Sequence, residues 1–210
     1  ESLREGARVE KNPEKRNPTD FALWKFSPAG AKRQMEWPSP WGVGFPGWHI
    51  ECSAMSLKYL EGQLDIHCGG IDHINVHHTN EIAQSEAATG RKFFNVWMHG
   101  AFLNIAGGKK MAKSADNFLT LEKAVIEKDI DPVAFRFAAL QTHYRKPMEY
   151  SEEALQQAQS GYNNLLAQVA ALAGEEDGQI SEEYQEKFLA AVNDDLNMPQ
   201  ALAVAYSGHH

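Results

Sequence analysis

Cys52, His77 and Glu81 are the residues whose types and spacing point most directly to chemistry. Cys52 lies in WHIECS, and His77 and Glu81 lie in HHTNE. Their four-residue step puts the imidazole and the carboxylate on one helix face. A thiolate, an imidazole and a carboxylate are all zinc ligands, and three protein ligands with one open position is the pattern of a catalytic site. The competing reading is bland: such His–Glu pairs occur on solvated helices, and a lone Cys is often a small buried hydrophobe. A second group is the loop Gly107-Gly108-Lys109-Lys110-Met111-Ala112-Lys113-Ser114. Lys110 and Lys113 carry compact positive charge that could meet negative charge developing on phosphate oxygens. A solvated, lysine-rich turn is the alternative. The third is Cys68, Gly69, Gly70 and Asp72, where glycines at a strand end let a ligand approach the backbone and the acid could take a ribose hydroxyl or an ammonium group. A tight turn would use the same residues.

These residues need elements to position them. The pattern predicts a helix over His49 to Tyr59, a short strand over Leu64 to Cys68 ended by Gly69 and Gly70, and a helix over Glu81 to Ala88 stopped by Gly90. Phe94 to Ile105 reads as a strand pair around His99 and Gly100. Alternating strands and helices imply an α/β fold with a largely parallel sheet. Before them, WPSPWGVGFPG reads as a loop and Glu1 to Asp20 as an exposed connector. Beyond Leu119 the chain turns helical. Asp131 and Pro132 form an N-cap and first-turn pair, and Leu155, Ala158, Tyr162, Leu165, Val169 and Leu172 make one amphipathic face after Ser151. Gly174 to Gln179 is a turn before a helix over Glu182 to Val192.

Composition narrows the class. In 210 residues, 20 Lys and Arg face 28 Asp and Glu, for a formal net charge of −8. That balance excludes a protein that coats nucleic acid by bulk charge, though not a local basic patch. Two cysteines are too few for a disulfide scaffold. No run approaches 18 apolar residues, so no membrane span is expected, and no signal-peptide pattern opens the chain. The chain starts in mid-pattern at Glu1, so we expect a piece of something longer.

All three groups occur together in one family. GWHIECSAMS, DIH-x-GG-x-D, HH-x-NEIAQSEAATG, WMH and KMAKS resemble cysteinyl-tRNA synthetase, a class I aminoacyl-tRNA synthetase, as do KRNPTDFALWK and SPWG upstream. The resemblance runs from about residue 5 to LNMPQALAV. It implies a ligase that activates cysteine with ATP and Mg2+ to cysteinyl-adenylate and transfers it to tRNA(Cys) in the cytoplasm. It implies one Zn2+ ion on Cys52, His77 and Glu81, binding the cysteine thiolate. Trp48 and Asp72 match the substrate pocket, and Gly69, Gly70, Asp72, Lys110, Met111, Ala112, Lys113 and Ser114 match the nucleotide site, with Lys110 and Lys113 catalytic. In the reaction so implied the substrate carboxylate is itself the nucleophile, so catalysis is positioning plus charge stabilisation. A soft metal separates cysteine from serine, which an apolar pocket does poorly.

The implied organisation is α/β: the second half of a Rossmann-like nucleotide-binding fold followed by an α-helical bundle region. Residues 1–20 match the end of a connective insertion, 21–118 the catalytic half, 119–150 a stem-contact region and 151–208 the start of an anticodon-binding helical domain; 209–210 read as a tag remnant. Three residues depart from the family pattern: Ala112 replaces the usual Ser, Cys68 a usual Gly, and Thr79 a common acid. The HIGH motif and a further zinc-ligating Cys are absent, leaving Cys68 as the other cysteine available to complete the site. We therefore expect this chain to need the N-terminal half of the catalytic domain as partner, and to lack ATP–pyrophosphate exchange alone. Two alternatives stay open: the related cysteine ligase of mycothiol synthesis, and a non-catalytic synthetase-like metal- or RNA-binding module. Basic spots for tRNA are Arg91/Lys92, Lys109/Lys110 and Arg145/Lys146.

Overall fold

A computed structural model describes residues 13–30, 33–61, 63–105, 109–110, 119–172, 174 and 178–207. The chain divides into two compact units, Glu1–Met98 and His99–His210.

In the first unit, β1 (Trp24–Phe26) pairs antiparallel with β2 (Gly44–Pro46). β2 falls inside the stretch read as loop. It is three residues long and ends in Pro46, whose missing N–H is tolerated at a strand end. Helix α1 (Trp48–Tyr59) follows, with Glu51 in its first turn and Lys58 in its last, both favourable to the helix dipole. β3 (Leu64–Gly70) carries the predicted strand through both glycines. A 3-10 turn (Ile71–His73) and a π turn (Ile74–His78) lead directly into α2 (Thr79–Thr89). Gly90 closes α2 in the left-handed conformation at φ 66°, and its N–H reaches the Glu86 carbonyl. β4 (Phe94–Gly100) lies beside β3. Leu64, Phe93 and Phe94 form a small core that Leu57 and Trp97 flank.

In the second unit, β5 (Leu103–Ile105) sits between antiparallel β6 (Lys109–Lys110) and parallel β7 (Met148–Tyr150). The expected strand pair around His99 and Gly100 is thus not a hairpin. β4 and β5 belong to different sheets, because β5 takes its partner from Met148–Tyr150 and the Phe102 carbonyl accepts from Met148 N–H. Nor is there one largely parallel sheet among the described residues; three small sheets carry both orientations. The class is mixed α/β.

The helices of this unit begin where their caps dictate. The short α3 (Leu121–Ala124) starts on Thr120, whose hydroxyl accepts from Lys123 N–H. The Asp131 carboxylate accepts from Val133 N–H at 2.7 Å to start α4 (Pro132–Leu140), and Ser151 Oγ accepts from Ala154 N–H at 3.1 Å to start α5 (Glu152–Ala171). Val125, Ile130, Ala134, Phe137, Leu155 and Ala158 form the core between them. The predicted α5 stripe is buried only in its first half: Leu155 is 1% exposed, Val169 53% and Leu172 58%. Length explains this. At about 1.5 Å per residue, nine-residue α4 cannot cover twenty-residue α5. Helices α6 (Glu182–Asn193) and α7 (Met198–Ser207) complete the unit. Of the predicted Gly174–Gln179 turn, residues 175–177 lie outside the described residues.

Candidate metal centre

Two helices and a strand assemble the site. The first turns of α1 present Trp48 and Cys52 one turn apart, with His49 and Ser53 beside them. From α2, Gln84 Nε2 donates to the His49 carbonyl at 2.5 Å and to Ser53 Oγ at 2.6 Å, tying the two helices together. The π turn delivers His77 and His78, both buried, and α2 delivers Glu81, fully buried. Such turns are rare and concentrate at functional sites.

Donor atoms of Cys52, His77 and Glu81 all lie within 4.8 Å of one another, as do those of His67, His78 and Glu81. His77 Nε2 is 3.6 Å from Glu81 Oε1, and His67 Nε2 is 2.8 Å from Glu81 Oε2. The ring of His77 is held on both sides. His49 Nδ1 lies 2.9 Å from its Nδ1, and Trp48 stacks on it at 4.1 Å and 24°. This bond at Nδ1 leaves Nε2 directed to Glu81, as expected of a histidine ligand oriented by its other nitrogen.

Electrostatics separate the ligand types. Burial lowers the pKa of His77, against the opposing pull of Glu81, so the ring is held neutral with a lone pair to give. Burial lowers His49 as well, with Lys25 adding to it. The Cys52 thiol is pushed up, first by burial and then by the Glu81 charge. A bound cation reverses that logic by favouring the thiolate. The residues fit a divalent cation on independent ground: Glu81 Oε1, on the His77 side, is buried without a hydrogen-bond partner. A cation there would satisfy it.

The structure therefore brings Cys52, His77, Glu81 and Trp48 together. Cys68 does not join them. It is exposed, and strand alternation turns it away from the face that carries His67. What the sequence reading missed is the histidine set: His49, His67 and His78. The signal was there, in the alternation of Asp-Ile-His along β3 and in the doubled histidine before Glu81. Gly69 is required by these rings, since a Cβ there would stand 2.5 Å from His78 Cε1 and 2.7 Å from His73 Nδ1. Gly70 ends β3, and Asp72 is exposed on the 3-10 turn. In the second unit, Lys110 pairs with Asn104 as strand backbone. Met111, Ala112, Lys113 and Ser114 lie outside the described residues.

Residues 1–160 match the family model described as the tRNA synthetases class I (C) catalytic domain. The chain is 51% identical over 192 residues to a "Cysteine--tRNA ligase 1" of Burkholderia lata, with 91% of this chain and 40% of that protein covered. It is 46% identical to the "Cysteine--tRNA ligase" of Treponema denticola (97% and 46% covered) and 47% identical to that of Legionella pneumophila (100% and 45%). It thus spans less than half the length of these relatives. A solved structure with the same fold is the agnB2 LeuRS of Agrobacterium radiobacter K84 in its tRNA–LeuAMS complex, with a TM-score of 0.57 at 19% identity over 83% of this chain and 28% of that one.

Proposed function

Because the chain belongs to the family of class I (C) tRNA synthetase catalytic domains, we propose that it forms the cysteine-recognition part of a cysteine–tRNA ligase. The α/β part is then the second half of a Rossmann-like nucleotide-binding fold, and α5–α7 begin a helical bundle. The observation that carries this reading is the buried triad of Cys52, His77 and Glu81 with its unpartnered carboxylate oxygen.

In this reading the three side chains would hold one zinc ion, which would supply a soft position for the substrate thiolate. Trp48, stacked over His77 and 53% exposed, walls the substrate pocket. Asp72 takes the amino group, and Gly69 and Gly70 border the nucleotide. The substrate carboxylate then attacks the α-phosphorus of Mg-ATP. A C–O–P bond forms and pyrophosphate leaves. Lys110 and Lys113 would stabilise that departing charge, with Met111, Ala112 and Ser114 beside them in the sequence. A ribose hydroxyl of tRNA(Cys) next attacks the carbonyl carbon and releases AMP. No covalent protein nucleophile is needed, so the residues contribute position and field alone.

The test is ligand choice. Titration of the zinc-loaded chain with L-cysteine and L-serine, followed by tryptophan fluorescence, is expected to give at least about a hundredfold preference for cysteine. Trp48→Phe should remove the signal, and Cys52→Ala the preference. Equal affinity for the two amino acids overturns the proposal.

A further inference from the structure

Glu81 belongs to both donor groups, yet its two oxygens meet different distances. Tetrahedral ligation with nitrogen and oxygen bonds of about 2.0–2.1 Å keeps two such donor atoms about 3.3 Å apart. The 3.6 Å between His77 Nε2 and Glu81 Oε1 leaves room for an ion between them. The 2.8 Å between His67 Nε2 and Glu81 Oε2 does not; it is a hydrogen bond. His78 Nε2 stands farther off, at 4.0 Å from Oε2. Oε1, the oxygen on the His77 side, is the one without a hydrogen-bond partner.

We infer that His67 is the positioning residue of the centre: its Nε2–H fixes Glu81 through Oε2 so that Oε1 is presented to a cation held with Cys52 and His77. This rests on the metal reading proposed above. The ring of His67 is itself fixed. It stacks on Phe94 at 4.2 Å and 6°, and meets Trp97 edge-on at 4.9 Å and 79°. Phe94 is 2% exposed, so the strand pair β3–β4 anchors the donor. A fully buried carboxylate without such an anchor could turn either oxygen toward the ion or away from it. Hydrogen-bond partners of ligands commonly contribute 10–100-fold to metal affinity.

The experiment is zinc competition against a chromogenic chelator, with the Co2+-loaded spectrum as second readout. His67→Phe keeps the stack on Phe94 and removes the donor; it is expected to weaken zinc binding about 10–100-fold. The Cys52 thiolate-to-Co2+ charge-transfer band should persist while the d–d bands shift. His67→Gln, whose amide nitrogen can stand near the Nε2 position, should stay within about threefold of the unmodified chain, and His67→Asn, one methylene shorter, should not. Wild-type affinity in His67→Phe overturns the inference. Should that variant not fold, equal affinities for His67→Gln and His67→Asn overturn it. Zinc lost in His78→Phe but kept in Cys52→Ala would place the ion in the other triad and overturn it too. Failure of the metal reading itself looks different: Cys52→Ala and His77→Ala would both bind zinc as the unmodified chain does.

Discussion

The candidate metal centre of the first unit and the α4–α5 core of the second are built on opposite principles. Around Glu81, buried side chains are polar: Ser53, His77, His78 and Ser85 are each under 5% exposed, and the apolar cluster beside them is Leu64, Phe93 and Phe94. Between α4 and α5 the buried side chains are apolar, with polar groups at the margin: the caps Asp131 and Ser151, and the Tyr150 and Tyr206 hydroxyls, which donate to backbone carbonyls. The first arrangement holds its geometry through hydrogen bonds and ring stacks across elements. The second holds it through area removed from water. Polar networks in a low dielectric are demanding, since one lost partner leaves a costly orphan. The difference separates a region organised by polar contacts from one organised by apolar burial.

The largest effect should come from breaking the first region. Cys52→Ala is expected to lower zinc affinity by about a thousandfold, because a thiolate ligand and its charge are lost together. Far-UV circular dichroism should remain near that of the unmodified chain, because Cys52 is only partly buried. Loss of helical signal alongside zinc binding would mean that the site is a folding element and would erase the contrast. Next, Leu155→Ala should cost about 3 kcal/mol in urea unfolding, as a fully buried side chain leaves a cavity. Val169→Ala, on the same stripe but 53% exposed, should stay within about 0.5 kcal/mol. Similar costs at both positions would show that the whole stripe is covered.

That stripe also shows how much was legible in the sequence. Caps and glycine stops are local chemistry, so Asp131, Ser151 and Gly90 appear in the structure in the roles their types announce. The amphipathic period located α5, but not how far a neighbour would cover it, because that depends on the length of α4. In the site, the four-residue step from His77 to Glu81 predicts one shared face on a regular helix. The two residues do share a side, yet His77 lies in the π turn that precedes α2 while Glu81 lies in α2 itself, and no local pattern announces that turn. By residue type alone, Cys68 is the other cysteine available to complete the site. Strand alternation gives that face to His67 instead. Hydrogen bonds between elements, such as His67 to Glu81 or Gln84 to Ser53, depend on tertiary distance and leave no period to read.

A smaller perturbation tests the caps. Ser151→Ala removes the acceptor for Ala154 N–H at the start of α5 and should cost about 1 kcal/mol. Glu152 and Glu153 remain in the first turn and still favour the helix start, so Ser151→Asp should recover most of the loss. A cap effect above that of Leu155→Ala would reverse the ranking of area over hydrogen bonding in this unit.

The smallest expected effect lies at the turn between α6 and α7, where an exposed polar contact serves structure. Asp195 and Leu196 both adopt positive φ, 53° and 55°, an arrangement unfavourable to side chains. Asp195 accepts from Tyr144 Oη at 2.6 Å and from Arg145 Nη2 at 3.0 Å, with Arg145 Nε as a third donor. The Arg145 guanidinium, followed by the Tyr144 hydroxyl, holds the Asp195 pKa at about 2, below its ordinary 3.8. The sign follows from proton binding: the unfolded chain protonates this carboxylate first as pH falls. Its contribution is therefore complete above pH 3.8 and is lost as pH falls through about 2. Asp195→Asn should flatten that segment of the stability–pH curve in urea titrations between pH 5 and about 2, and added salt should reduce the difference between the two proteins. An unchanged acid limb in the variant would show that the turn is held by the backbone, and that the contrast between polar and apolar construction is confined to the buried regions.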